Sequence, residues 1–235
     1  DYASGEVIIY DISADPPAEL GRIDTGNENN IMGIKIGPEQ KIWYVNYDRD
    51  EVIRIDVDVI TILISQDGSG DFSAIQEGID AAYDGDIVRV APGTYTGDNN
   101  INLDFDGKAI TLISEAGPEQ TIIDCGYADR GFTFDSIEDS TSILDGFTIT
   151  NGSRPEGGGI YCYYSSPTIK NCIISNCNAD QGGGMYLNEA SPTLTNISIN
   201  SNTAQWEGAG IYCSYESNPT ITNSVIQGNM VLGLG

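Results

Sequence analysis

The chain of 235 residues contains no histidine, only ten lysines and arginines, and five cysteines. Without imidazole, and with the thiols scattered, a zinc centre and histidine-based acid/base chemistry are excluded. Ten basic residues against thirty-five acids leave a net charge of −25, so nucleic acid and anionic membranes are poor partners. No apolar run is long enough to span a bilayer and none reads as a leader at the front, so membrane insertion is not expected. An odd number of thiols cannot all be paired. Cys172 and Cys177 are the candidate pair across a corner, whereas Cys162 and Cys213 fall in one column two repeats apart, about 9.6 Å, too far for a bond.

What is present in abundance is repetition. GGGIYCYYSSPTIKNCIISNCNADQ from Gly157 is restated from Gly182 and again from Gly208, at spacings of 25 and 26 residues. Pro167, Pro192 and Pro219 keep step, as do Asn171, Asn196 and Asn223. Within each copy the apolar residues alternate in short runs bounded by Gly, Asn, Ser or Pro, the mark of strands joined by sharp corners. One copy cannot bury its apolar face alone and must stack on its neighbours. Stacking puts like over like: Ile169, Leu194 and Ile221 form an inward column, and the three asparagines a polar one whose amides bond along the stack. LDGFTITNG from Leu144 fits one coil earlier, with Gly146 in the asparagine column.

These columns resemble the asparagine ladder of right-handed parallel β-helix proteins, the pectate lyase and pectinesterase superfamily. QDGSGDFSAIQEGIDAAYDGDIVRVAPGTY from Gln66 resembles the opening of pectinesterases. The resemblance implies an all-β right-handed parallel β-helix over residues 61–235, about six coils, with a capping helix over 73–83. Phe72, Ile75, Ile79 and Ala82 share one helical face, and Ser73 with Gln76 reads as a capping box. Residues 1–60 depart from the repeat and read as a small antiparallel β region. Residues 31–56 resemble a blade of an NHL-type β-propeller. The last phrase stops where a further coil would begin, which suggests a piece of a longer chain or an end covered by another subunit.

The pectinesterase resemblance stops short of catalysis, since no QDT, DFIFG or LGRPW stretch is present. The paired-aspartate motif of polygalacturonases and a lyase-like Arg-x-Pro-x-x-Arg are missing too, so no catalytic residue is carried over. Asp124, Asp145, Lys170 and Arg154 are the remaining acid/base candidates, and each also reads as a turn or solvated strand residue. Tyr161, Tyr186 and Tyr212 form an outward aromatic ladder with Trp206 nearby; such rings either stack on sugars or proteins, or stabilise the sheet by stacking on each other. Asn102, Asp104 and Asp106 share one face and are candidate calcium ligands, or simply solvated acids.

Three functions are consistent with these features. The first is a non-catalytic secreted or cell-surface module, with a structural or glycan-binding role and a polysaccharide or protein partner. The second is a calcium-assisted uronate lyase. The third is a filament subunit, a homo-oligomer joined through the helix ends.

Overall fold

The structure is a computed structural model that describes residues 59–233 together with the strand backbones Glu6–Asp11, Ala18–Asp24, Ile31–Ile36, Lys41–Asn46 and Glu51–Asp56. The chain divides between Asp58 and Val59. In the first unit, Glu6–Asp11 pairs antiparallel with Ala18–Asp24, and Lys41–Asn46 lies antiparallel between Ile31–Ile36 and Glu51–Asp56. The propeller-blade resemblance depends on turns at 37–40 and 47–50, which lie outside the described residues.

The second unit is a solenoid in which every named strand pairs in parallel with its equivalent one coil away. The first face stacks seven strands, Thr61–Ile64, Ile87–Val90, Thr111–Ser114, Ile143–Asp145, Thr168–Lys170, Thr193–Thr195 and Thr220–Thr222. A second face runs from Gly93–Tyr95 to Val225–Gln227, and a third from Leu103–Asp104 through Phe132–Phe134, Ile160–Tyr163 and Met185–Asn188 to Ile211–Ser214. A short fourth face holds Asn178–Gln181, Thr203–Glu207 and Met230–Val231.

Register follows the side-chain columns. Ile62, Val88, Leu112, Leu144, Ile169, Leu194 and Ile221 are successive partners along the first face. All are buried except Ile221, on the last rung. A second column runs Tyr95, Ile123, Ile149, Ile174, Ile199 and Ile226. A one-residue slip would turn each column outward, so burial fixes the pairing. Phe105, Phe132 and Phe134 fill the early coils, with ring centroids 5.1 to 6.5 Å apart.

Two expectations are corrected. The stack has seven rungs instead of six, because Thr61–Ile64 supplies a rung ahead of the helix and pairs with Ile87–Val90. The helix spans Ile75–Ala81, not 73–83, and Ala74 at its N-cap makes no side-chain bond. The expected Ser73–Gln76 capping box gives way to groups from the following loop: Asn100 Oδ1 accepts the Ile75 N–H at 3.0 Å and Asn99 O the Gln76 N–H at 2.9 Å. Ile75 and Ile79 are fully buried. At Gly78 a Cβ would lie 2.4 Å from Ile64 Cδ1, so a larger residue there would force the Ile64 side chain to move.

Candidate functional site

Along the third face the inward set is Leu103, Phe105, Phe132, Phe134, Ile160, Cys162, Met185 and Leu187, all fully buried. Alternation therefore turns Asn102, Asp104, Thr133, Asp135 and Tyr161 outward. Together with Arg130, Arg154 and Glu156 from the adjoining loops they line a groove of about 440 Å³.

Asp104 sits on the first rung of this face. Gln76 reaches over from the helix and pairs with its backbone as a strand would, Oε1 accepting the Asp104 N–H at 3.0 Å and Nε2 donating to Asp104 O at 2.9 Å. Asp104 Oδ1 accepts the Asp106 N–H at 2.9 Å. Burial pushes the Asp104 carboxyl up to about 6, with the charges of Asp106, Asp135 and Glu138 adding to the rise and the Asp106 hydrogen bond opposing it.

Arg130 lies across the groove, its Cζ 4.6 Å from the centre of the Tyr161 ring, a cation–π arrangement. Its Nε is buried without a hydrogen-bond partner among the described residues. Burial draws its pKa below the usual arginine value, partly offset by the charge of Asp129. Arg154 is committed elsewhere: its Nε and Nη2 both donate to the carboxylate of Asp129. Arg154 is thus paired, whereas Arg130 has no ion-pair partner among the described residues.

The tyrosine column is a stack in register, with Tyr161 to Tyr186 at 5.6 Å and Tyr186 to Tyr212 at 5.3 Å. Each ring covers its neighbour's face. Tyr186 is only 5% exposed, and Gly182 crosses so closely that a Cβ there would lie 2.8 Å from Tyr186 Cβ. A sugar ring has no access to the middle of this ladder. Trp206 is half exposed but lies on the fourth face, in Thr203–Glu207, and stacks on no ring among the described residues. Tyr163 and Tyr164 are the exposed rings beside the ladder, meeting edge to face at 4.4 Å.

The three candidate calcium ligands lie on the outer surface, and two of their side-chain oxygens already accept hydrogen bonds. Asp104 Oδ1 holds the Asp106 N–H, and Asn102 Oδ1 accepts the Thr133 hydroxyl at 2.9 Å. Among the described residues no group of three or more acidic or thiol side chains is placed to hold a metal ion.

Asn171, Asn196 and Asn223 all occupy left-handed backbone, with φ of 54°, 54° and 52°. Asn196 Nδ2 donates to Asn171 Oδ1 at 2.7 Å, and Asn171 Nδ2 donates onward to Asp145 Oδ1 at 2.6 Å. Asp145 also pairs with Lys170 at 3.3 Å on the first face. Asp124 accepts from the Gly126 N–H and from Asn151 at a corner. The acid/base candidates Asp124, Asp145 and Lys170 are therefore apart from the groove, and only Arg154 lines it.

A second asparagine ladder escapes a reading of the sequence. Asn202, fully buried, accepts the Cys177 N–H at 2.9 Å and donates to Ile174 O at 3.0 Å, while Asn229 Oδ1 accepts the Asn202 N–H at 3.0 Å. Cys177 Sγ continues it by accepting the Gly152 N–H at 3.4 Å. The 27-residue step between Asn202 and Asn229 was the available signal. The candidate Cys172–Cys177 bridge is not formed: all five thiols are free, and burial pushes these two up to about 12.

A family model described as "Right handed beta helix region" matches residues 109–235. The chain belongs to this family. No curated protein matches the sequence of this right-handed β-helix protein. A solved structure of pectin methylesterase from carrot aligns with a TM-score of 0.44 at 16% identity, covering 63% of this chain. The β-helix protein spans 55% of that structure's length.

Proposed function

We propose that the protein is a non-catalytic extracellular or cell-surface module that binds a glycan in the groove of its third face. The observation that carries this reading is Arg130, unpaired among the described residues and held against Tyr161, in a groove it lines together with Asp104 and Asp135. Donors and acceptors arranged this way, beside an aromatic edge, match the hydroxyl-rich and partly apolar surface of a sugar. The acidic composition supports the extracellular assignment, since it keeps such a module soluble and monomeric.

The lyase alternative needs a free basic group beside carboxylates. Lys170, one candidate base, is ion-paired to Asp145 on a different face, and the other candidate, an arginine of the groove, stays protonated at neutral pH, which favours binding over turnover. The filament alternative requires a strand at the end of one copy's stack to pair with a strand of another copy. Sizing the protein across dilution tests it, and a strict monomer removes it.

Calorimetric titration of the purified chain with a polysaccharide panel tests the main reading. Saturable binding without depolymerisation, lost in Arg130→Ala, is the expected result. Sustained turnover, or no binding to any polymer, would contradict it.

A further inference from the structure

We infer that the groove selects uncharged sugars, read through adjacent hydroxyl pairs, over uronate polymers. This rests on the glycan-binding reading above and adds the class of glycan. Arg130 can only donate hydrogen bonds, whereas ionised Asp104 and Asp135 can only accept them. A hydroxyl does both. Two neighbouring hydroxyls on one pyranose can therefore accept from the guanidinium and donate to the carboxylates at the same time.

A uronate cannot match this pattern. Its carboxylate only accepts, so it needs cationic donors, and the second guanidinium of the groove is held by Asp129. Among the described residues, one unpaired cation of the lining, Arg130, stands against three carboxylates, Asp104, Asp135 and Glu156. A ligand carboxylate placed on Arg130 would share the groove with all three, and like charges within one groove repel. Beyond the groove, the chain's net charge of −25 repels a polyanion before it arrives. A neutral chain meets neither barrier.

The test compares neutral oligosaccharides (galactan, xylan and glucan hexamers) with an oligogalacturonate of equal length at pH 7.5, by calorimetry on the full chain, with and without calcium. At least one neutral hexamer should bind tenfold or more tightly than the uronate. In Asp104→Asn/Asp135→Asn that ratio should shrink at least threefold, since uronate binding gains when the repelling charges go. Asn at 104 keeps an acceptor for the Asp106 N–H, so the fold of the variant is retained. Tighter binding of the uronate, with or without calcium, overturns the inference and leaves glycan binding intact. An unchanged ratio in the double variant also overturns it, because the selectivity then lies outside the groove. Failure to bind any sugar defeats this inference and the glycan reading together.

Discussion

Asn202 reaches back one coil to Cys177, its Oδ1 accepting the Cys177 N–H at 2.9 Å inside a fully buried corner. Replacing Asn202 with Leu leaves that N–H without its partner and removes the amide's own bond to Ile174 O. An unsatisfied buried polar group costs about 1–3 kcal/mol, so Asn202→Leu should lower the urea midpoint by the equivalent of about 3 kcal/mol. Glycine at exposed Asn176, which tolerates that residue's φ of 55°, should change it little.

The exterior ladder separates two effects. Asn196 combines a φ of 54° with an amide bond to Asn171. Alanine loses the bond and also strains the left-handed backbone, while glycine loses the bond alone. Asn196→Ala should therefore cost about 2 kcal/mol and Asn196→Gly about 1 kcal/mol, measured by chemical denaturation. Equal losses would mean that the backbone carries no strain.

Asp104 makes stability depend on pH. Its folded value is raised to about 6 from 3.8, so the folded state holds this proton more tightly than the unfolded one. That contribution is complete below pH 3.8 and is lost as pH rises towards 6. Asp104→Asn should match the parent near pH 4 and exceed it by about 1 kcal/mol at pH 7, allowing for solvent screening. Melting curves at the two pH values check this.

The tyrosines should divide by burial. Tyr186, 5% exposed between two stacked rings, should cost about 3 kcal/mol when truncated to alanine. Tyr163, 38% exposed, should cost under about 1 kcal/mol. Thermal unfolding of the two variants gives the comparison.

Cysteine labelling reads the core directly. Cys125, Cys162, Cys172 and Cys177 are buried and Cys213 is exposed. A thiol reagent should modify Cys213 alone in the native protein and all five after denaturation. Reducing agent should leave the melting temperature unchanged.

The sequence made the stack legible because the repeats from Gly157 onward are nearly uninterrupted, so Ile169, Leu194 and Ile221 could be aligned without coordinates. The rung Thr61–Ile64 was hidden because the helix and its loops separate it from its partner Ile87–Val90. Asn202 looked like any corner asparagine, since its inward direction depends on the corner's conformation. Arg130 was invisible for a different reason. It lies in an irregular coil with no copy to align against, and its lack of a partner emerges only when Tyr161 and the Arg154–Asp129 pair are in place.

Locating a bound oligosaccharide by crystallography tests the central claim most directly. Density lying between Arg130 and Asp104 on the third face, with ligand oxygens within hydrogen-bond reach of the guanidinium, is the result this account predicts. A sugar seated against Trp206 on the fourth face, with the Arg130 groove left empty, would contradict it.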